Sequence, residues 1–174
     1  MFVVLWSIGN PKESLMSDKI VASIVTSEED EEFIRQVCED LGLESEVTMI
    51  VGPYYVHSFF SPSLNYRLDR LLSRYPITVD PSDPTRRILI NEFTYIESTA
   101  DERKAAIAHE MWHIYSIIKN RHIPGLNLET DADKLATNYV HADIVIGLLR
   151  KYGDSNSIDI QVRIGRLEKQ RGAL

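Results

Sequence analysis

Ala105-Ala-Ile-Ala-His109-Glu110-Met111-Trp112-His113-Ile-Tyr115 is the stretch on which the reading of this chain turns. Upstream of it, Thr99 and Glu102 have the spacing of a capping box, which predicts a helix beginning near Ala100 and running toward Asn120. Ala105, Ala106, Ile107, Ala108, Met111, Trp112, Ile114, Tyr115, Ile117 and Ile118 go almost all the way round that helix, the pattern of a segment buried on most sides. Two histidines and a carboxylate in such a setting are costly to bury unless something answers them. At about 100° per residue, His109 and His113 lie about 40° apart around the axis and one turn apart along it, so both imidazoles can share one metal ion. Zinc accepts that pair. Glu110 sits at the edge of the same face, where its carboxylate can take a proton from a metal-bound water instead of ligating the metal.

A catalytic zinc usually has three protein ligands and an open fourth position, so a third donor is expected on a neighbouring element. Glu129-Thr-Asp-Ala132-Asp133 offers it, on a second helix expected over roughly 128–152 beyond the break at Pro124-Gly125. Glu129 and Asp133 are four apart and share a face, and Ala132 and Ala136 are small enough to let this helix approach the first closely. The first carboxylate can ligate while the second orients a histidine from behind. His122 is a rival ligand, and a solvated acidic helix start is the plain reading of Glu129 alone. Tyr139, His141 and Tyr115 are candidates by residue type for stabilising an oxyanion. Cys38, on a helix of its own, reads as a small core residue rather than a ligand.

Outward from this centre, short strands alternate with helices. β-branched residues at 20–25 predict a strand, and Ser27 followed by Glu28, Glu29 and Asp30 predicts a capped helix ending at Gly42. Residues 47–51 are strand-like before Gly52-Pro53. Leu64, Leu68, Leu71 and Leu72 mark a helix over 63–75. Ile77–Val79 and Arg87–Asn91 read as a hairpin around the proline-bearing turn at 80–85, and Ile158–Arg171 as a last amphipathic helix. The expected class is α+β, with a short mixed sheet that has an exposed edge strand packed on the buried helix, and Arg87–Asn91 is a candidate for that edge.

The 174 residues predict one domain, with 1–19 as an N-terminal arm and 153–174 as a helical tail. With 26 acidic and 19 basic residues the net charge is −7, the wrong sign for a protein that neutralises phosphates, so nucleic acid is not an expected partner. The apolar start at 2–8 is too short to cross a bilayer and lacks the parts of a secretory signal. One cysteine, Cys38, allows no intrachain disulfide, and a cytoplasmic location without membrane association is expected.

HExxH followed after fifteen intervening residues by ExxAD, in the form His109-Glu110, His113, Glu129, Ala132 and Asp133, resembles the gluzincin clan of zinc metallopeptidases. The short connection is similar to minigluzincins and to ImmA/IrrE-type intracellular peptidases. Ile88-Leu-Ile-Asn91, Glu102-Arg103 and Ile107-Ala-His-Glu110 also resemble the latter group, in which a strand leads through a loop into the active-site helix. The resemblance covers residues 87–152 and implies a small zincin-like domain. It implies His109, His113 and Glu129 as zinc ligands, Glu110 as general base and acid, and Asp133 as support for a ligand histidine. Trp112 stands where many relatives have a small residue, and Asp133 where ImmA-like members often have Asn.

The expected activity is zinc-dependent hydrolysis of peptide bonds in a peptide or protein substrate, with Glu110 receiving the proton and passing it to the leaving amine. An edge strand would hold such a substrate in extended form. The alternative is a silent zinc-stabilised module whose partner docks in the cleft or on the edge strand. Retention of Glu110 argues against it, since a structural site needs no base. A third reading is latency, with the arm or the tail covering the cleft.

Overall fold

Two strands far apart in sequence organise the sheet. In the computed structural model, which describes residues 3–4, 23–24, 26–43, 47–52, 77–79, 87–119, 121 and 125–172, β3 (Thr48–Gly52) runs parallel to β5 (Arg87–Asn91), with Met49 opposite Ile88 and Val51 opposite Ile90. The remaining pairings are antiparallel: β4 (Ile77–Val79) lies on the far side of β5, and β2 (Ser23–Ile24) and β1 (Val3–Val4) continue the sheet beyond β3. The order is therefore β1-β2-β3-β5-β4. The chain is α+β, as its sequence indicates.

This order corrects one expectation. Arg87–Asn91 is not the edge strand: it sits between β3 and β4, with Ile88, Leu89, Ile90 and Asn91 all buried. An unbroken apolar run suits a strand covered on both faces better than an edge, which would alternate. Among the described residues the edge on this side is β4, only three residues long, and short edge strands limit unwanted pairing. The antiparallel pairing of Ile77–Val79 with Arg87–Asn91 stands, with Ile77 opposite Ile90 and Val79 opposite Ile88.

Local signals place most of the helix boundaries. In α1 (Glu28–Asp40), the Ser27 hydroxyl accepts the Asp30 N–H at 3.1 Å and four acidic residues occupy the first turn. Gly42, at φ 60°, ends it in the left-handed conformation that glycine adopts without strain. The segment after β5 is not a simple loop: Asn91 caps a six-residue helix, α2 (Glu92–Glu97), by accepting the N–H groups of Phe93 at 2.9 Å and Thr94 at 3.4 Å. Both halves of the Thr99/Glu102 capping box form, and α3 (Ala100–Ile118) follows.

The single helix expected over 128–152 is instead two, α4 (Gly125–Ala136) and α5 (Ala142–Tyr152). Beyond Ala136 the N–H groups of Asn138 and Tyr139 fold back on the carbonyls of Leu135 and Ala136, tightening the last turn. His141 then takes an extended conformation, and its Nδ1 accepts the Asp143 N–H at 3.3 Å to start α5. The last helix, α6 (Ile158–Arg171), has the bounds its periodicity gives. The expected helix at 63–75, the turn at 80–85 and nearly all of the arm at 1–19 lie outside the described residues. Among the described residues no helix is long and apolar enough to cross a membrane.

α3 lies against α1, α4, α5 and β4. Ile107, Met111 and Ile114 of α3 join Phe33 and Val37 of α1, Ile88 of β5, Ala136 of α4, Ile146 of α5 and Leu167 of α6 in one buried apolar cluster. A polar anchor crosses it at the start of α3. Asp30, fully buried on α1, accepts the Tyr95 hydroxyl at 2.7 Å and Arg103 Nε at 2.9 Å, while Arg103 Nη1 donates to the Ser98 carbonyl at 3.0 Å. Removing the carboxylate leaves a largely enclosed guanidinium unanswered, which costs far more than losing a surface cap. Asp30→Ala is therefore expected to destabilise the fold by about 3 to 5 kcal/mol and Thr99→Ala by about 1 kcal/mol. Urea midpoints of the two variants check that order.

Candidate metal centre

Two neighbouring helices supply the polar cluster. His109 and His113 point from successive turns of α3, and α4 sets Glu129 against them. His109 Nε2 lies 3.4 Å from Glu129 Oε2, His113 Nε2 lies 3.4 Å from Glu129 Oε1, and the two Nε2 atoms are 3.2 Å apart. One donor atom from each of the three residues lies within 4.8 Å of the others, a spacing compatible with a single metal ion. Behind His109, its Nδ1 is 3.0 Å from Asp133 Oδ1. A proton on Nδ1 donated to that carboxylate leaves Nε2 as the ring atom that faces the cluster.

Burial and charge act on these groups in opposite directions. Enclosure disfavours a charged His109, but its bonds to Asp133 and Glu129 overcome this and raise its pKa to about 10. His113 goes the other way: burial, joined by the charge on His109, lowers it to about 4 and leaves a neutral ring. Burial pushes Glu129 up, yet the bond to His109 and the surrounding positive charge bring it down to about 2. Asp133 is also enclosed but is held below the usual carboxylate range by its bonds to Arg163 and His109. Glu110 is raised to about 7 by burial, against the lowering effects of the His109 charge and of the Val79 backbone N–H that donates to it. In the metal-free protein, then, the position shared by the two Nε2 atoms and Glu129 attracts a proton.

The donor set also fits a divalent cation by charge. With both imidazoles neutral, Glu129 and Asp133 carry two negative charges against the single positive charge of Arg163, and Glu110 adds a third as it ionises, so the group favours a divalent cation. Two imidazoles and a carboxylate form the ligand type of catalytic zinc sites, which keep a further position open.

Arg163 is the member that sequence reasoning missed. Its Nε donates to Asp133 Oδ2 and its Nη2 to Asp133 Oδ1, both at 2.7 Å, and its Nη1 donates to Glu129 Oε2 at 2.9 Å. A signal was present in the sequence: Ile160, Ile164 and Leu167 form the apolar stripe of α6, and Arg163 lies inside that stripe rather than opposite it.

The other candidates lie elsewhere. The Tyr139 hydroxyl donates to Asp40 at 2.7 Å and its ring packs edge-on against Phe33. His141 is exposed, capping α5 and facing Asp143 at 3.2 Å. Tyr115 packs on Trp112 and accepts from Arg121 at 3.0 Å. None of the three lines the cleft of about 1070 Å³ into which His109, Glu110, His113 and Glu129 open. Cys38 is half-buried beside the core, its thiol pushed up by burial, and His122 lies outside the described residues. The cleft is bordered instead by β4 on one side and by Leu148, Leu149 and Tyr152 of α5 on another.

Compared with protein-family models, curated proteins and solved structures, the chain finds no match.

The purified chain is expected to hold about one divalent ion, as a three-ligand site would, and to lose it in His109→Ala, His113→Ala and Glu129→Ala. Asp133→Ala should weaken the metal by about 10 to 100-fold without abolishing it. Elemental analysis and chelator competition check both, and full retention in Glu129→Ala removes that residue from the ligand set. A second outcome concerns pH. Metal must displace the proton that His109 carries below about 10, so apparent affinity should rise with pH between about 7 and about 10. The slope should be about tenfold per pH unit for each proton released, read from titrations in buffers of different ionisation enthalpy.

Proposed function

We propose that this chain is a zinc-dependent peptidase with a gluzincin-type centre, in which His109, His113 and Glu129 hold the ion, Glu110 is the general base and acid, and Asp133 orients His109. The observation that carries the reading is the position of Glu110. It is buried one residue from a ligand histidine and opens on the same cleft, where its carboxylate stands beside the position an ion would take. A structural metal site has no use for such a group.

Zinc, when bound, supplies Lewis acidity toward the scissile carbonyl and a nucleophile at neutral pH. The protein's own part begins with Glu110, whose carboxylate takes the proton of the attacking water and returns it to the leaving amine. β4 supports a peptide rather than a small ester as substrate, because it borders the cleft and, among the described residues, pairs on one side only. An extended backbone can add to its other side. The single Cys38 and the absence of any possible intrachain disulfide support action inside a cell.

The deciding comparison is Glu110→Gln, nearly the same shape without the charge. It should keep metal and fold while losing cleavage of a diverse peptide library by about 10² to 10⁴-fold. Wild-type cleavage should stop with a chelator and return with added zinc. A silent zinc-stabilised binding module predicts metal in both proteins and cleavage in neither, and that outcome would replace the peptidase reading.

A further inference from the structure

We propose that Arg163 is the positioning residue of this centre: one guanidinium, delivered by α6, fixes two of the three metal ligands, Glu129 directly and His109 through Asp133. The inference rests on the metal reading above and adds to it a dependence on the last helix.

The geometry is that of a three-point clamp. Nε and Nη2 span both oxygens of Asp133, and Nη1 reaches Glu129 Oε2. Asp133 Oδ1, held in this way, is the same oxygen that meets His109 Nδ1. The ring of His109 is therefore aligned by a chain that starts on α6, passes through α4 and ends on α3. The bond to Glu129 engages Oε2 and leaves Oε1, the oxygen nearer His113, without a guanidinium partner. An ion at the cluster thus meets one favoured oxygen of Glu129 rather than a freely rotating carboxylate. Asp133 and Glu129 are also like charges four apart on one helix face, a pairing that repels unless a cation stands between them.

The position of Arg163 on its own helix argues that this is more than helix docking. It is 9% exposed and sits in the stripe of Ile160, Ile164 and Leu167, where another aliphatic side chain would pack without bringing in a charge. Arg166, one turn on, shows what ordinary docking looks like: it is exposed and donates to Thr130 on α4 at 2.9 Å, touching no member of the cluster. Lysine cannot stand in for Arg163, because a single ammonium does not span both oxygens of Asp133 and reach Glu129 as well. α6 accordingly contributes to the site through Arg163.

The test uses full-length wild type, Arg163→Lys, Arg163→Met and the docking control Arg166→Met, with urea midpoints recorded for each. Zinc affinity is read by chelator competition, and ligand geometry by the visible absorption of the cobalt(II)-substituted proteins. Both Arg163 variants should bind zinc about 10 to 100-fold more weakly and shift the cobalt bands, while Arg166→Met matches wild type. A lysine variant equal to wild type in affinity and spectrum overturns the proposal, as does an Arg166→Met that falls equally. A measurement on wild type covers the case of variants that do not fold. The ¹⁵N-resolved guanidinium protons of Arg163 should stay distinct and slow to exchange in the zinc-loaded protein, and rapid averaging overturns the clamp. A wild type that holds no metal overturns the metal reading, and this proposal with it. A wild type that holds metal alongside an indistinguishable Arg163→Lys overturns this proposal alone.

Discussion

The paired hydrogen bonds between Arg163 and Asp133 mark the point where three helices meet, and the polar centre is arranged around them. Asp133 is 2% exposed, and a carboxylate so enclosed persists as an anion only if it is answered on every side that water would otherwise occupy. The guanidinium answers it from α6 and the His109 ring from α3. Once Asp133 is fixed, the orientation of His109 follows, and with it the convergence of both Nε2 atoms on Glu129.

A second enclosed carboxylate acts at the start of α3. Asp30 gathers Tyr95 and Arg103, so the helix is held near its start by a carboxylate of α1 and near its middle by a carboxylate of α4. Along the same helix Ile107, Met111 and Ile114 are each without measurable exposure. Apolar packing alone tolerates small rotations of a helix, whereas two hydrogen-bonded carboxylates on different neighbours define its rotation as well as its depth. That rotation decides whether His109 and His113 face α4.

Short-range chemistry was legible in the residues; of the long-range partnerships, that of Glu129 and Asp133 with the histidines was legible and the rest were not. The Thr99/Glu102 box, the Ser27 cap, the Gly42 stop and the bounds of α6 rest on contacts within a few residues, and each is found. The two imidazoles of HExxH come together for the same reason, since both ride on one helix. The break between α4 and α5 was hidden because neither glycine nor proline marks it, and the residue that starts α5 is a histidine acting as cap. Arg87–Asn91 was mistaken for an edge because a short apolar strand does not reveal how many neighbours it has. Arg163 advertised itself only as a charge on the wrong face of an amphipathic helix, and its partners lie 30 and 34 residues away.

That separation along the chain has a consequence for synthesis. The ribosome makes α3 and α4 first, and a nascent chain that has reached Ala136 already contains both histidines, Glu129, Asp133 and Glu110. Three neighbouring carboxylates then stand without the one guanidinium that the finished fold places among them. Like charge favours keeping them apart until Arg163 emerges and α6 docks. Assembly of the polar centre is thereby tied to the docking of α6, the last in chain order of the described elements.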